Sequence, residues 1–138
     1  MSRPGHDDED QVRRVLATYG DCYDGGRADA WADLFTEDGR FAVAGQVTEG
    51  RSAIRAYMER AQAEHGRGIH VTSDPVVDVE GDEATATSAY VYVRPGDGGP
   101  VTAAAGRYRD RLVRVGGRWR IRERAVSLLG VPEPGTDD

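Results

Sequence analysis

The sequence predicts an α+β fold in which three N-terminal helices cover one face of an antiparallel sheet. Three observations lead there. Apolar residues recur at helical spacing as far as about residue 65. From Ile69 onward the pattern changes to strand-like runs separated by glycine turns. The whole is 138 residues long, the size of one ordinary domain with a core of its own.

The elements follow in order. Residues 1–7 read as a loose polar arm. Val12, Leu16, Tyr19 and Tyr23 recur at i, i+4, i+7 and i+11, one face of a helix from about Asp8 to Asp24, which Gly25-Gly26 stops. A short second helix carries Ala30, Trp31, Leu34 and Phe35 on its inner face and ends at Glu37-Asp38-Gly39. Arg40 to Ala44 reads as a first strand. Gly50-Arg51-Ser52 opens a third helix, with Ser52 as its N-cap and Ile54, Tyr57, Met58 and Ala61 as its apolar stripe.

Strands and turns make up the remainder. Ile69 to Val79 leads through Glu80-Gly81-Asp82-Glu83 into Ala84 to Val93. A looser loop at 95–100 returns the chain into Val101 to Val113, and Val115-Gly116-Gly117 turns it into Arg118 to Leu128. Consecutive strands joined by short turns form a meander, and the helices must cover one of its faces. Residues 131–138 form a Pro- and Asp-rich tail, so the core spans about 8–130.

Composition removes several function classes. Net charge is −6, which disfavours binding to a polyanion such as nucleic acid. The arginine-dense stretch from Arg107 to Arg124 alternates with apolar residues, as a strand with one solvated face does. There is no lysine, so Schiff-base and pyridoxal-phosphate chemistry on a lysine is excluded. Cys22 is the sole cysteine, and a small apolar role on its helix suits it. His70 has no partner at metal-ligand spacing, no glycine-rich loop opens a helix, and no apolar run nears the roughly 20 residues that span a bilayer. The expectation is a cytoplasmic, cofactor-free protein without metal, nucleic-acid or membrane partners.

The run YGDCYDGGRADAWADLFTEDGRF, the GRSAI helix start at 50–54, His70 opening a long strand, and YRDRLVRVGGRWRIRER at 108–124 are similar to the SnoaL-like branch of the nuclear transport factor 2-like superfamily. The resemblance covers about residues 8–130. It implies a cone-shaped curved sheet around one pocket for a small organic molecule, often with pairing of two copies through the sheet, so a homodimer is expected. Relatives include polyketide cyclases, scytalone dehydratase, bile acid dehydratase, ketosteroid isomerase, limonene epoxide hydrolase and noncatalytic binding domains, so fold alone does not give function.

The dehydratase pattern of a tyrosine and an aspartate near the end of the first helix and a histidine on the long strand is matched by Tyr19 or Tyr23, Asp24 and His70. Arg124 stands where the bile acid dehydratases place a pocket arginine. The second dehydratase histidine has no counterpart among Ser88, Tyr90 and Tyr92, and RFAVAG at 40–45 lacks the carboxylate of the isomerases. For the epoxide hydrolase pattern, Asp110 can face an arginine, with Ser127 and Glu123 the nearest candidates for a second acid.

These residues suggest proton removal beside a carbonyl, which needs a base near the working pH, a group to orient it, and donors for the enolate oxygen. His70 suits the base, Asp24 the orienting carboxylate, and Tyr19 and Tyr23 the donors. Equally, His70 can be structural, Asp24 a turn residue, and each tyrosine core with an incidental hydrogen bond. Trp31, Phe35, Phe41 and Met58 are candidate pocket wall, as are Tyr90 and Tyr92, which share one strand face. Arg124 can hold a substrate carboxylate or enolate oxygen, or be solvated if it alternates with Arg120 and Arg122. A cofactor-independent lyase or cyclase acting on a polyketide-like, steroid-like or aromatic molecule is the leading expectation. An epoxide-opening enzyme and a noncatalytic binding or dimerisation module are the alternatives.

Overall fold

A computed structural model describes residues 6–132, so the expectations for residues 1–5 and 133–138 lie outside the described residues, whereas His6 and Asp7, read as part of a loose arm, already belong to the first helix. The element order is α1 (His6–Asp24), α2 (Ala28–Asp33), β1 (Phe35–Val43), β2 (Gln46–Glu49), α3 (Arg51–His65), β3 (Ile69–Thr72), β4 (Val76–Glu80), β5 (Glu83–Gly96), β6 (Gly99–Val115) and β7 (Arg118–Leu128). Three helices lead and an open, curved seven-stranded sheet follows, in the order β2-β1-β7-β6-β5-β3, with β4 also on β5. The α+β architecture is as the sequence predicts.

Several boundaries differ for physical reasons. Phe35 belongs to β1, not to the second helix, and β1 begins five residues before Arg40. Its ladder to β7 is parallel, interrupted between Phe35 and Arg40, so the sheet is not wholly antiparallel. The meander expected from residue 69 onward holds through β4, β5, β6 and β7, and β1, which ends at Val43 far before β7 begins at Arg118, joins its edge through tertiary packing. Ala30 faces solvent, and the buried partner of Trp31 on α2 is Ala32. Ser52 lies inside α3, and Gly50 at φ 94° takes the N-cap position without a side-chain cap. The expected strand from Ile69 to Val79 is two strands, because Pro75 lacks an N–H for the ladder. Ser73 bridges the break: its N–H donates to the Ala89 carbonyl, and its Oγ accepts from the Ala89 N–H.

The hairpins are tighter than expected. Gly96 pairs with Gly99 across Asp97-Gly98, so β5 and β6 run almost to the turn. Gly116 and Gly117 both have positive φ, 58° and 79°, which suits the twist of the two-residue connection between Val115 and Arg118. Gly106 is demanded by close approach: a Cβ there would lie 1.7 Å from the Ser127 carbonyl oxygen. The bare backbone is covered by the ring of Tyr90, its cross-strand partner.

Two register shifts aim the inner face. One, between Tyr92 and Val93, bends the β5–β6 hairpin. The other sets Leu112 against Ile121 and Arg111 against Glu123, leaving Arg122 as an extra residue in β7. Trp119 and Ile121 point inward before this bulge, and Arg124 and Val126 after it. The core between helices and sheet is built from Val12, Trp31, Phe35, Ile54, Met58, Leu112 and Ile121, all at most 1% exposed. Arg51 ties α3 to β1 by donating from Nε and Nη2 to the Phe35 carbonyl.

Candidate active site

A cavity of about 150 Å³ opens between α1, α3 and the inner face of the sheet. All six tyrosines of the chain line it: Tyr19, Tyr23, Tyr57, Tyr90, Tyr92 and Tyr108. His70 completes the polar wall, and Phe41, Val43, Ala104, Val126 and Leu128 supply the apolar one. Strand alternation directs this convergence. Tyr90 and Tyr92 share a face of β5, Tyr108 lies one strand away, and Tyr19 and Tyr23 are one helical turn apart on α1.

The centre of the site is a histidine–aspartate pair. His70 Nδ1 lies 2.6 Å from Asp24 Oδ1, and the His70 backbone N–H donates to Asp24 Oδ2 at 2.8 Å. A carboxylate at the end of a helix sits against the exposed carbonyls of the last turn, an unfavourable place. Two N–H donors from β3 compensate it here. Gly26, at φ 70°, terminates α1 just beyond Asp24, so the helix end itself delivers the carboxylate to β3.

With a carboxylate at Nδ1 the proton resides on that nitrogen, and Nε2 keeps its lone pair. The side chain is 11% exposed. Burial lowers its pKa from the ordinary 6.5, and the hydrogen bond to Asp24 opposes that shift in part. His70 is therefore neutral at neutral pH and available as a base. Its ring packs edge-on against Tyr23 at 5.2 Å and tilts against Tyr92 at 4.5 Å, which fixes its orientation.

Burial raises the pKa of all six phenols, strongly for Tyr19, Tyr23 and Tyr108. They are hydrogen-bond donors throughout the physiological range, not bases. Tyr90 spends its hydroxyl on the Ser127 carbonyl at 3.2 Å, whereas no protein hydrogen bond takes up those of Tyr19, Tyr23, Tyr57 and Tyr108 among the described residues.

The structure thus gathers His70, Asp24, Tyr19, Tyr23, Phe41, Tyr90 and Tyr92 at one place. Trp31, Phe35 and Met58 do not line the cavity; at 0%, 0% and 1% exposure they pack behind it. Their helical spacing could not distinguish the lining from the layer beneath. Tyr57 and Tyr108 are lining residues that the sequence reading left out of the site. Their inward positions carried the signal, since each follows the stripe or alternation of its own element.

Arg124 is neither solvated nor part of the tyrosine cavity. The bulge at Arg122 breaks its alternation with Arg120 and Arg122 and turns it inward, to 2% exposure. Its Nε and Nη2 donate to Asp110 Oδ1 and Oδ2 at 2.7 and 3.0 Å. Its Cζ lies 3.6 Å from the centroid of Tyr108 and 4.2 Å from that of Tyr19. Asp110 therefore does face an arginine, but Glu123 pairs with Arg40 at 3.2 Å on the exposed side, and Ser127 directs its Oγ to the Arg107 carbonyl. Among the described residues, neither of the two expected candidates supplies the second acid of the epoxide hydrolase arrangement.

Cys22 is buried and free. Among the described residues no group of three or more His, Cys, Asp and Glu side chains gathers, and no helix is long and apolar enough to cross a membrane.

The SnoaL-like domain pattern matches residues 6–125. Rv3472 from Mycobacterium tuberculosis, a protein of unknown function, has TM-score 0.81 and 36% identity, over 86% of this chain and 69% of that one. A nuclear transport factor 2-like protein with a cystatin-like fold from Novosphingobium aromaticivorans has TM-score 0.84 and 33% identity, over 91% and 84%. A putative aromatic ring hydroxylase from the same organism has TM-score 0.79 and 25% identity, over 89% and 90%. No curated protein matches the chain.

Proposed function

Because the chain belongs to the SnoaL-like domain family, we propose that its cavity is the active site of a cofactor-independent lyase or cyclase acting on a small aromatic or polyketide-like carbonyl compound. The observation that carries this is the His70–Asp24 pair in the wall of a cavity lined by every tyrosine of the chain. His70 Nε2 takes the proton from the carbon beside a carbonyl. Asp24 holds the imidazole in the required tautomer and stabilises the imidazolium that forms. Tyr19 and Tyr23 donate to the enolate oxygen, and the protonated His70 returns its proton to a departing hydroxyl or to the alkoxide of a newly closed ring.

Stacking surfaces favour a flat substrate, and a cavity of about 150 Å³ favours one or two rings over a steroid. The neighbour described as a putative aromatic ring hydroxylase agrees with an aromatic ligand.

The protein is further proposed to work as a homodimer through the outer sheet face. There Asp78, Glu80 and Glu83 stand across a groove from Arg111 and Arg122, so a second copy in antiparallel orientation meets opposite charge. The test of the catalytic reading is a turnover screen with aromatic β-hydroxyketones and β-diketones. Turnover by the native protein, lost in His70→Ala and Asp24→Asn with ligand affinity retained, is expected. Binding without turnover above the buffer rate by the native protein would make the cavity a noncatalytic binding site, and turnover equal in all three proteins would overturn the roles of His70 and Asp24.

A further inference from the structure

The proposed reaction leaves a free phenol of the sheet unused. Tyr108 lines the tyrosine cavity from β6, and its ring stacks on that of Tyr90 with centroids 4.5 Å apart. Tyr90 has given its hydroxyl to the Ser127 carbonyl, whereas that of Tyr108 has no protein partner among the described residues. Among those residues, the side-chain polar atoms sealed from solvent without a partner are Trp31 Nε1, Thr36 Oγ1 and Arg124 Nη1. The Tyr19 and Tyr108 hydroxyls are not of that set, so they open on the cavity that both residues line.

A cation lies against both rings. Arg124 Cζ is 3.6 Å from the Tyr108 centroid and 4.2 Å from that of Tyr19, direct cation–π contact in each case. Its Nη1 is sealed and its Nε and Nη2 are held by Asp110, so the guanidinium acts on a molecule in the cavity only through the rings. A positive charge against a phenol favours negative charge on its oxygen and makes the hydroxyl a stronger donor to an anion. Burial raises the pKa of both phenols, and Arg124 lowers each by more than Asp110 raises it. The Tyr19 centroid lies 6.4 Å from that of His70 and 5.8 Å from that of Tyr108, which puts the two donors in one cavity with the base.

We infer that Tyr108 is a further hydrogen-bond donor to the ligand's oxygen, beside Tyr19, and that Arg124, acting through the two rings, makes the cavity prefer an anionic oxygen over its neutral form. This rests on the reading of the cavity as the place where an enolate forms. It narrows the ligand class to aromatic molecules whose oxygen carries or acquires negative charge when bound, phenolates and enolates.

The experiment uses 4-nitrophenol, which has no carbon acid for His70 to deprotonate and whose phenolate, unlike its phenol, absorbs in the visible. Absorbance titrations across pH give the affinity of each form. The native protein should bind the phenolate more tightly, so that the bound molecule loses its proton at a lower pH than in buffer. Tyr108→Phe keeps the ring and its stacking and should weaken phenolate binding about tenfold, phenol binding far less. Arg124→Met combined with Asp110→Leu removes the buried cation together with its counter-ion and strands no charge. That double variant should weaken phenolate binding about fivefold, whereas a merely structural pair would change both forms alike. No saturable binding, no phenolate preference in the native protein, or a preference unchanged in both variants would each overturn the proposal. The probe does not turn over, so the outcome is separable from that of the turnover screen: phenolate preference without turnover sustains the donors and sinks the catalytic reading, and turnover without phenolate preference does the reverse.

Discussion

His70 is subject to two opposing influences, burial that disfavours its cation and Asp24 that favours it, and burial prevails. The sign follows directly. With the folded value below the ordinary 6.5, the imidazole is a free base above that pH, and kcat/KM should fall with acid only below it. The same shift makes the unfolded chain bind the proton more readily. The stabilisation it represents is complete above pH 6.5 and is lost as pH falls through the folded value. Denaturation midpoints measured from pH 8 down to pH 5 should therefore decline more steeply for the native protein than for His70→Gln. His70→Ala should lower kcat by about 10²–10⁴-fold. Asp24→Asn should lower it by about a hundredfold, with KM little changed. The residues of this pair were legible in the sequence because a carboxylate beside Gly25-Gly26 and a histidine on a strand face are both locally marked. The fate of Arg124 was not legible, since it depends on one extra residue in β7 that no local pattern announces.

At the level of elements, β5, β6 and β7 supply Tyr90, Tyr92, Ala104, Tyr108, Val126 and Leu128 to the cavity wall. Gly106 lets β6 and β7 approach where any side chain would meet the Ser127 carbonyl. Gly106→Ala should therefore strain the β6–β7 ladder and lower the thermal midpoint, whereas Gly98→Ala, at a turn with nothing within 4 Å, should leave it nearly unchanged. Asp110→Ala would strand the buried Arg124 cation and should cost about 3–5 kcal/mol in chemical denaturation. Order and type of most elements were readable from periodicity. The α2–β1 boundary was not, because Phe35 fits a helical stripe as well as a strand and only its pairing with Ile121 decides. β2 escaped for a related reason: four residues, mostly exposed, carry no alternation to detect.

For the whole molecule, the arrangement separates two faces. The helices and inner sheet enclose the tyrosines, and the outer sheet presents Arg107, Arg109 and Arg111 at successive outward positions of β6. If that outer face joins two copies, sedimentation equilibrium should give twice the 15.0 kDa of the chain. The complementary-charge geometry predicts that Arg111→Glu shifts the equilibrium toward monomer, and that high salt does the same. The family was readable from sequence motifs spread over nearly the whole chain. The reaction was not, because members of this superfamily share a cone and differ in the few groups that line it.

The most direct test of the central claim, that His70 is a general base acting on a carbonyl compound within the tyrosine cavity, is proton exchange without turnover. 1-Phenylbutane-1,3-dione would be incubated with the protein in D₂O, and loss of its methylene signal followed by NMR. The account predicts exchange faster than in buffer alone, reduced to the buffer rate in His70→Ala and retained in Trp31→Phe, whose side chain lies behind the cavity wall. Exchange at the same rate with the native protein and with His70→Ala would contradict it.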